Sequence, residues 1–243
     1  MEFPLTVPQW MLASLVVLCG TLVQGSIGYG VGLIGAPLLF LIHPILVPAP
    51  VVVIGMVVPG LILLREWRAV RPAEVAWAMP GSIAGTALAG LLLGLVTDRT
   101  LGLLFGILVL AAVGLSMAGR VPRRSPAHLV TAAGLSGFMG TTTGIGGPPL
   151  ALLYQASTGP RLRGTLSAIF VPTAVLALLA LGQAQRFGPV ELLLGISLLP
   201  AVIAGFVLSI PLAGVLDRRW LRPVVLAVSA LAATVAIARA LTG

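Results

Sequence analysis

Residues 141–149 read Thr-Thr-Thr-Gly-Ile-Gly-Gly-Pro-Pro, and they stand in the middle of the apolar run 127–157. A helix surrounded by lipid would place leucine or valine there. Three hydroxyls, three glycines and two prolines instead end one helix and begin another. Glycine leaves the helical region at little cost, and proline is at home in a helix's first turn. The stretch therefore predicts a break in the backbone at membrane depth.

Composition supplies the membrane. Only 8% of the 243 residues are charged, 58% are hydrophobic, and the mean hydropathy is +1.14. Such a chain has too little polar surface for a water-soluble domain, so its solvent is the lipid bilayer. The basic residues are all Arg, set in short clusters between apolar runs. That is loop charge on a membrane protein, and the net charge of +8 predicts no nucleic-acid partner. A lone Cys19 excludes an internal disulfide and any multi-cysteine metal site. His43 and His128 sit at segment ends, so no nucleophile–base pair or metal-ligand cluster forms at depth, and no phosphate-cradling Gly-rich loop with Lys is present. The sequence predicts neither an enzyme nor a cofactor, metal site or catalytic residue. The start, MEFPLTVPQW, carries Glu2 and no basic residue, so a cleaved leader is not expected.

Apolar stretches lie at 9–42, 46–64, 73–97, 100–118, 127–157, 164–184, 190–216 and 223–241. Six have the length of a single crossing, about 20 residues. The two longest, 9–42 and 127–157, are interrupted by glycine. They also match each other: a shift of 112 lays Gly25, Gly28, Gly32 and Gly35 on Gly137, Gly140, Gly144 and Gly147, and Ala36-Pro37 on Pro148-Pro149. Near the same shift Pro59 falls on Pro172; further on, Pro80 to Gly85 parallels Pro200 to Gly205, and Asp98-Arg99 parallels Asp217-Arg218. The chain is thus read as a first repeat, 1–119, a basic linker, 120–126, and a second repeat, 127–243.

Orientation turns on the broken segments. If each crosses, the arginines divide between the two faces eight to six. If each dips in and returns, arginines 65, 68, 71, 120, 123, 124, 161, 163, 218, 219 and 222 share the linker face and only Arg99, Arg186 and Arg239 face the other way. The second division obeys the positive-inside rule, with the linker cytoplasmic and both termini outside. The expected fold is an all-α polytopic membrane protein of two homologous, inverted halves, each with one re-entrant broken segment and three transmembrane helices.

Irregular backbone survives at membrane depth only when buried in protein or lining a wet cavity, so two breaks at matching positions point to a central site. Gly35-Ala36-Pro37 and Gly147-Pro148-Pro149 each read as the N-terminus of a half-helix, whose unpaired N–H groups favour an anion. The candidate substrate-binding residues are Gln24, Ser26, Gly28, Tyr29, Gly32, Gly35, Ala36 and Pro37 in the first half. In the second they are Gly140, Thr141, Thr142, Thr143, Gly144, Gly146, Gly147 and Pro148. Glycines let the ligand approach the backbone, and the hydroxyls are expected to donate to it. The same Gly-x-x-x-Gly spacings also serve close helix packing. Glu74 and Glu191 are read as helix-start residues, Asp98-Arg99 and Asp217-Arg218 as short-loop ion pairs. Trp10, Trp67, Trp77 and Trp220 are read as an interfacial belt, and Tyr154 and Gln155 as the close of the second half-helix.

With Gly140, Gly144, Gly146, Gly147 and Pro148 in the pattern GxxxGxGGPPL, with GxGxGLIGAPLL in the first half and the duplication around them, the chain resembles the TauE/SafE sulfite exporter family of membrane permeases. The resemblance implies movement of a small sulfur-containing anion, such as sulfite, sulfoacetate or another sulfonate, across the bacterial inner membrane. Leu33 and Ile34 interrupt the glycine run of the first half, so the two half-sites are expected to contribute unequally. The reading is a secondary transporter working by alternating access, with a channel or uniporter, or a non-transporting scaffold, as the alternatives. A homodimer is compatible with the sequence, which does not distinguish a proton from a sodium ion as the coupling ion.

Overall fold

The computed structural model describes residues 4–27, 31–117, 124–154, 159–212 and 218–242. Among these residues the chain is helical, without strands. In order come α1 (Val7–Ile27), α2 (Ala36–Ile42), α3 (Ala49–Glu66), α4 (Pro72–Leu95), α5 (Asp98–Met117) and α6 (Pro126–Thr143). They are followed by α7 (Gly147–Leu153), α8 (Gly159–Gln183), α9 (Pro189–Ser197), α10 (Leu199–Leu212) and α11 (Arg218–Thr242). Six stretches, beginning at Val7, Pro44, Pro72, Arg99, Gly159 and Pro189, are long and apolar enough to cross a bilayer. The protein is a polytopic membrane protein.

Local chemistry sets the ends of α6 and α7. The Ser125 hydroxyl accepts a hydrogen bond from the His128 N–H at the start of α6, with Pro126 in its first turn. The three threonines form the last turn of α6. Gly144 then stops it in the left-handed region, at φ 75°, and its N–H donates to the Gly140 carbonyl. Gly147 opens α7, with Pro148 in the first turn.

The first half departs from expectation. α2 begins at Ala36 with Pro37 in its first turn, as expected, but no break stands directly before it: a π-helical turn, Val31–Gly35, runs into α2, and Gly35 is itself helical, at φ −69° and ψ −50°. Pro37 removes the N–H that would bond the Leu33 carbonyl four residues back. That carbonyl instead accepts from the Ser229 hydroxyl of α11, at 2.6 Å. A side chain from the other half thus lets proline sit inside a continuing helix. The last long stretch also differs: the run 190–216 divides at Leu198, just before Pro200, into α9 and α10, whereas α4 continues through the matching Pro80. Leu198 N–H reaches only as far back as the Gly195 carbonyl, a tightened last turn.

Packing between the halves is reciprocal. α3 packs along α8, its counterpart in the repeat, and α5 packs along α11, its own counterpart. The first helix of each broken segment lies against the other repeat: α6 on α4, and α1 on α10. The short helices follow suit, α2 against α11 and α7 against α5. Small residues make the closest of these approaches. A Cβ on Gly81 or Gly85 would overlap the Val130 or Gly134 carbonyl, and one on Gly205 would meet the Leu18 carbonyl at 2.5 Å.

The second broken segment is a hairpin. Arg124, just before α6, lies over the Tyr154 ring at 4.8 Å, and Tyr154 closes α7. Both reach Glu74 near the start of α4: the Tyr154 hydroxyl donates to Oε2 at 2.5 Å, and Arg124 Nη1 lies 3.7 Å from Oε1. At the same face Glu66, ending α3, pairs with Arg163 near the start of α8. With Arg124 of the linker among these contacts, this is the linker face. At the opposite face Arg186 Nη2 donates to the Val96 carbonyl at the end of α4, 2.8 Å away.

Candidate functional site

The two breaks meet. A Cβ placed on Gly32 would overlap the carbonyl oxygen of Gly144, so the backbones touch without a side chain between them. Beside the contact is a cavity of about 90 Å³. Gln24, Gly32 and Leu33 line it from the first broken segment, and Ser136, Gly140, Thr141, Gly144, Gly146, Gly147 and Pro148 from the second. The remaining wall comes from the matched helices: Val51, Val52, Gly55 and Pro59 of α3, and Phe170, Thr173, Ala174 and Ala177 of α8. No charged side chain is among these residues.

Eight of the sequence-derived candidates are therefore brought together: Gln24, Gly32, Gly140, Thr141, Gly144, Gly146, Gly147 and Pro148. Gly35, Ala36 and Pro37 are buried in and beside α2 and do not line the cavity. Gly28 and Tyr29 lie outside the described residues, as does Gln155, and Ser26 is the penultimate residue of α1. The threonines divide. Thr141 faces the central cavity, Thr142 faces a second space described below, and Thr143 lines neither.

Each threonine hydroxyl is spent on its own helix. Thr141 donates to the Gly137 carbonyl at 2.7 Å, Thr142 to Phe138 at 2.8 Å, and Thr143 to Met139 at 2.7 Å. A hydroxyl has one proton, so in this arrangement none is left for a ligand. Thr143 also accepts from the Ile145 N–H at 3.1 Å, which pins the chain just after the left-handed Gly144. Pro148 and Pro149 carry no N–H, so the donors that α7 presents are the backbone N–H groups of Gly146 and Gly147.

Ser136 was not singled out from the sequence, yet it shapes the break. Its hydroxyl donates to the Gly146 carbonyl, which ties the middle of α6 to the link before α7. Nothing in the local sequence marks it. Thr173, also missed, donates to the Ile169 carbonyl at 2.7 Å and is nearly buried. Pro59 was visible as the match of Pro172, and both stand inside helices that line the cavity.

The second space, of about 630 Å³, lies at the face opposite the linker. Its wall includes Pro48 and Ala49 at the start of α3, Gln185 and Arg186 past the end of α8, and Thr142. Thr141 and Ala49 are each within two residues of the other space's lining, so the partition is one turn of α6 and one of α3.

A bundle of apolar helices around a small uncharged cavity, with a helix break at its wall, suits a permease, and the comparison with known families agrees. The model of the sulfite exporter TauE/SafE family matches residues 12–236, nearly the whole chain. The chain belongs to the TauE/SafE family. This is a family of transporters rather than enzymes, in keeping with the six stretches long and apolar enough to cross a bilayer. Comparison with curated proteins and with solved structures returned no match.

Proposed function

We propose that the protein is a secondary transporter that moves a small, singly charged sulfur oxyanion or organosulfonate through the bacterial inner membrane by alternating access. The observation that carries this reading is the cavity between the two breaks, lined by backbone from both repeats. Donors on this wall are peptide N–H groups and the Gln24 amide, not cations. Dipoles alone offset the desolvation of one negative charge far better than of two, because that cost grows as the square of the charge. The site therefore favours sulfite in its protonated form, or a sulfonate, over sulfate.

The geometry supports inverted halves. The second broken segment begins and ends at the linker face, where Arg124 meets Tyr154. The first returns to the other face: the Leu41 carbonyl, at the end of α2, accepts from Arg239, which lines the same space as Arg99 and Arg186. On this reading both segments re-enter, from opposite sides, and the termini lie outside.

The state described faces away from the linker. Glu66 and Arg163 clamp α3 to α8 at the linker face, while the start of α3 and the end of α8 flank the open space opposite. Pro59 and Pro172 lie between the clamp and most of the cavity lining, and each removes one helical hydrogen bond where its helix would have to flex. Opening the clamp and closing the far end would expose the same cavity to the linker side.

Reconstituted protein should take up labelled sulfite with saturation, and a monoanionic alkylsulfonate should compete while sulfate does not. Linear, non-saturating flux would replace the carrier with a channel, a reading that the lack of any titratable residue in the cavity wall makes worth testing. No flux of any anion in a panel of sulfite, sulfoacetate, thiosulfate and formate would sink the proposal.

A further inference from the structure

Three arginines, Arg99, Arg186 and Arg239, come from three distant parts of the chain to line one space of about 630 Å³ on the face opposite the linker. Glu191 is the single acidic residue in that lining, and its Oε2 accepts from the Gly188 N–H, 2.8 Å away, at the start of α9. Each arginine is fixed by donating to carbonyls at the end of a helix. Arg99 bonds Ala240 and Leu241 at 2.9 and 3.0 Å, Arg186 bonds Val96 at 2.8 Å, and Arg239 bonds Leu41 at 3.3 Å. Those bonds serve helix ends, but they do not explain why all three guanidinium groups ring one concavity whose wall includes Thr142, beside the central cavity's Thr141.

We infer that this space is a second anion site, a vestibule that collects the transported anion by charge before it reaches the uncharged central cavity. The inference rests on the anion-transport reading above. The division of labour is physical. A cation in the central cavity would hold the anion too strongly for turnover, whereas three guanidinium groups in a water-filled mouth raise the local anion concentration and remain screened by salt. Arginine also suits the ligand, because its planar fork matches two oxygens of a sulfite or sulfonate group.

The test is sulfite uptake by proteoliposomes at low and at high ionic strength, for wild type, the single Gln variants at 99, 186 and 239, the triple variant, and the corresponding Lys variants. Losing the charges should raise KM roughly 3- to 10-fold at low salt, leave kcat close to wild type, and flatten the dependence of KM on salt. Lys variants keep the charge but not the forked carbonyl bonds, so they should retain the salt dependence even where they lower thermal stability. If the triple Gln variant folds and carries sulfite with unchanged KM and unchanged salt dependence, the vestibule site is overturned and the central site stands. Loss of stability with an unchanged KM in both the Gln and Lys sets also overturns it, leaving the arginines as helix caps. If wild type neither carries nor is thermally stabilised by sulfite, sulfoacetate, thiosulfate or formate, the central reading falls and this one with it.

Discussion

Arg163 Nη2 lies 2.6 Å from Glu66 Oε1, and Arg163 Nε reaches both carboxylate oxygens, at 3.0 and 3.1 Å. The pair joins the end of α3 to the start of α8, with the Glu66 side chain 7% exposed and that of Arg163 17% exposed. Glu66→Gln leaves the mostly buried Arg163 guanidinium, and the more exposed Arg65 that also reaches Oε1 at 2.9 Å, without their counter-charge. Breaking a buried pair costs about 3–5 kcal/mol, and the lower end applies here because Arg163 keeps some contact with solvent. Thermal unfolding in detergent should show the loss, and adding Arg163→Gln should recover part of it. Strictly additive losses in the two variants would mean that the residues do not act as a pair.

Substitution at the meeting point of the breaks should separate function from insertion. Gly144→Ala must hold a left-handed φ of 75°, which costs about 1 kcal/mol, and its Cβ would lie 2.5 Å from Val51 Cγ1. Gly32→Ala has no such φ, but its Cβ would overlap the Gly144 carbonyl. Both should reach the membrane and lose sulfite transport at least ten-fold, with Gly144→Ala the less stable. Full transport by Gly32→Ala would show that the two breaks need not touch.

The threonines should rank by what their oxygens hold. Thr143→Val removes the acceptor of the Ile145 N–H and leaves a buried donor unpaired, a cost of about 1–3 kcal/mol. Thr142→Val loses only bonds to carbonyls of its own helix and should stay within about 1 kcal/mol of wild type. Differential scanning fluorimetry of the two variants settles the order, and a reversed order would contradict the hydrogen-bond assignment.

Ser136→Ala should loosen the link between α6 and α7. Losing the bond to the Gly146 carbonyl is worth about 1 kcal/mol in stability. Because Gly146 also lines the cavity, the variant should raise the KM for sulfite more than it lowers kcat. A pure kcat effect would place the role of Ser136 elsewhere in the cycle.

How far the sequence reached depends on what each residue touches. Gly144, Gly147 and Pro148 were legible because glycine and proline act on their own backbone, and the second break falls where they put it. Pro37 marks the first turn of α2 for the same reason, but not the π-helical turn that runs into it. Its local signal says helix start, and only Ser229, almost two hundred residues away, relieves the freed Leu33 carbonyl. Ser136, Val51 and Thr173 had no local mark, since their place in the cavity comes from helix packing. The arginines at 99, 186 and 239 could be sorted by face from charge counts, but their convergence on one mouth is a property of the folded chain. A threonine in the sequence shows a hydroxyl but not its partner, and the last turn of α6 claims all three protons.

The reciprocal packing of the halves bears on how the protein is made. Because α1 lies on α10, α2 on α11 and α3 on α8, part of what covers the first broken segment is synthesised after the linker. Until then the nascent first repeat holds Gly32 and the Leu33 carbonyl in the membrane without the Gly144 backbone or the Ser229 hydroxyl that complete them. The first repeat is therefore completed by backbone and side chains that the second supplies.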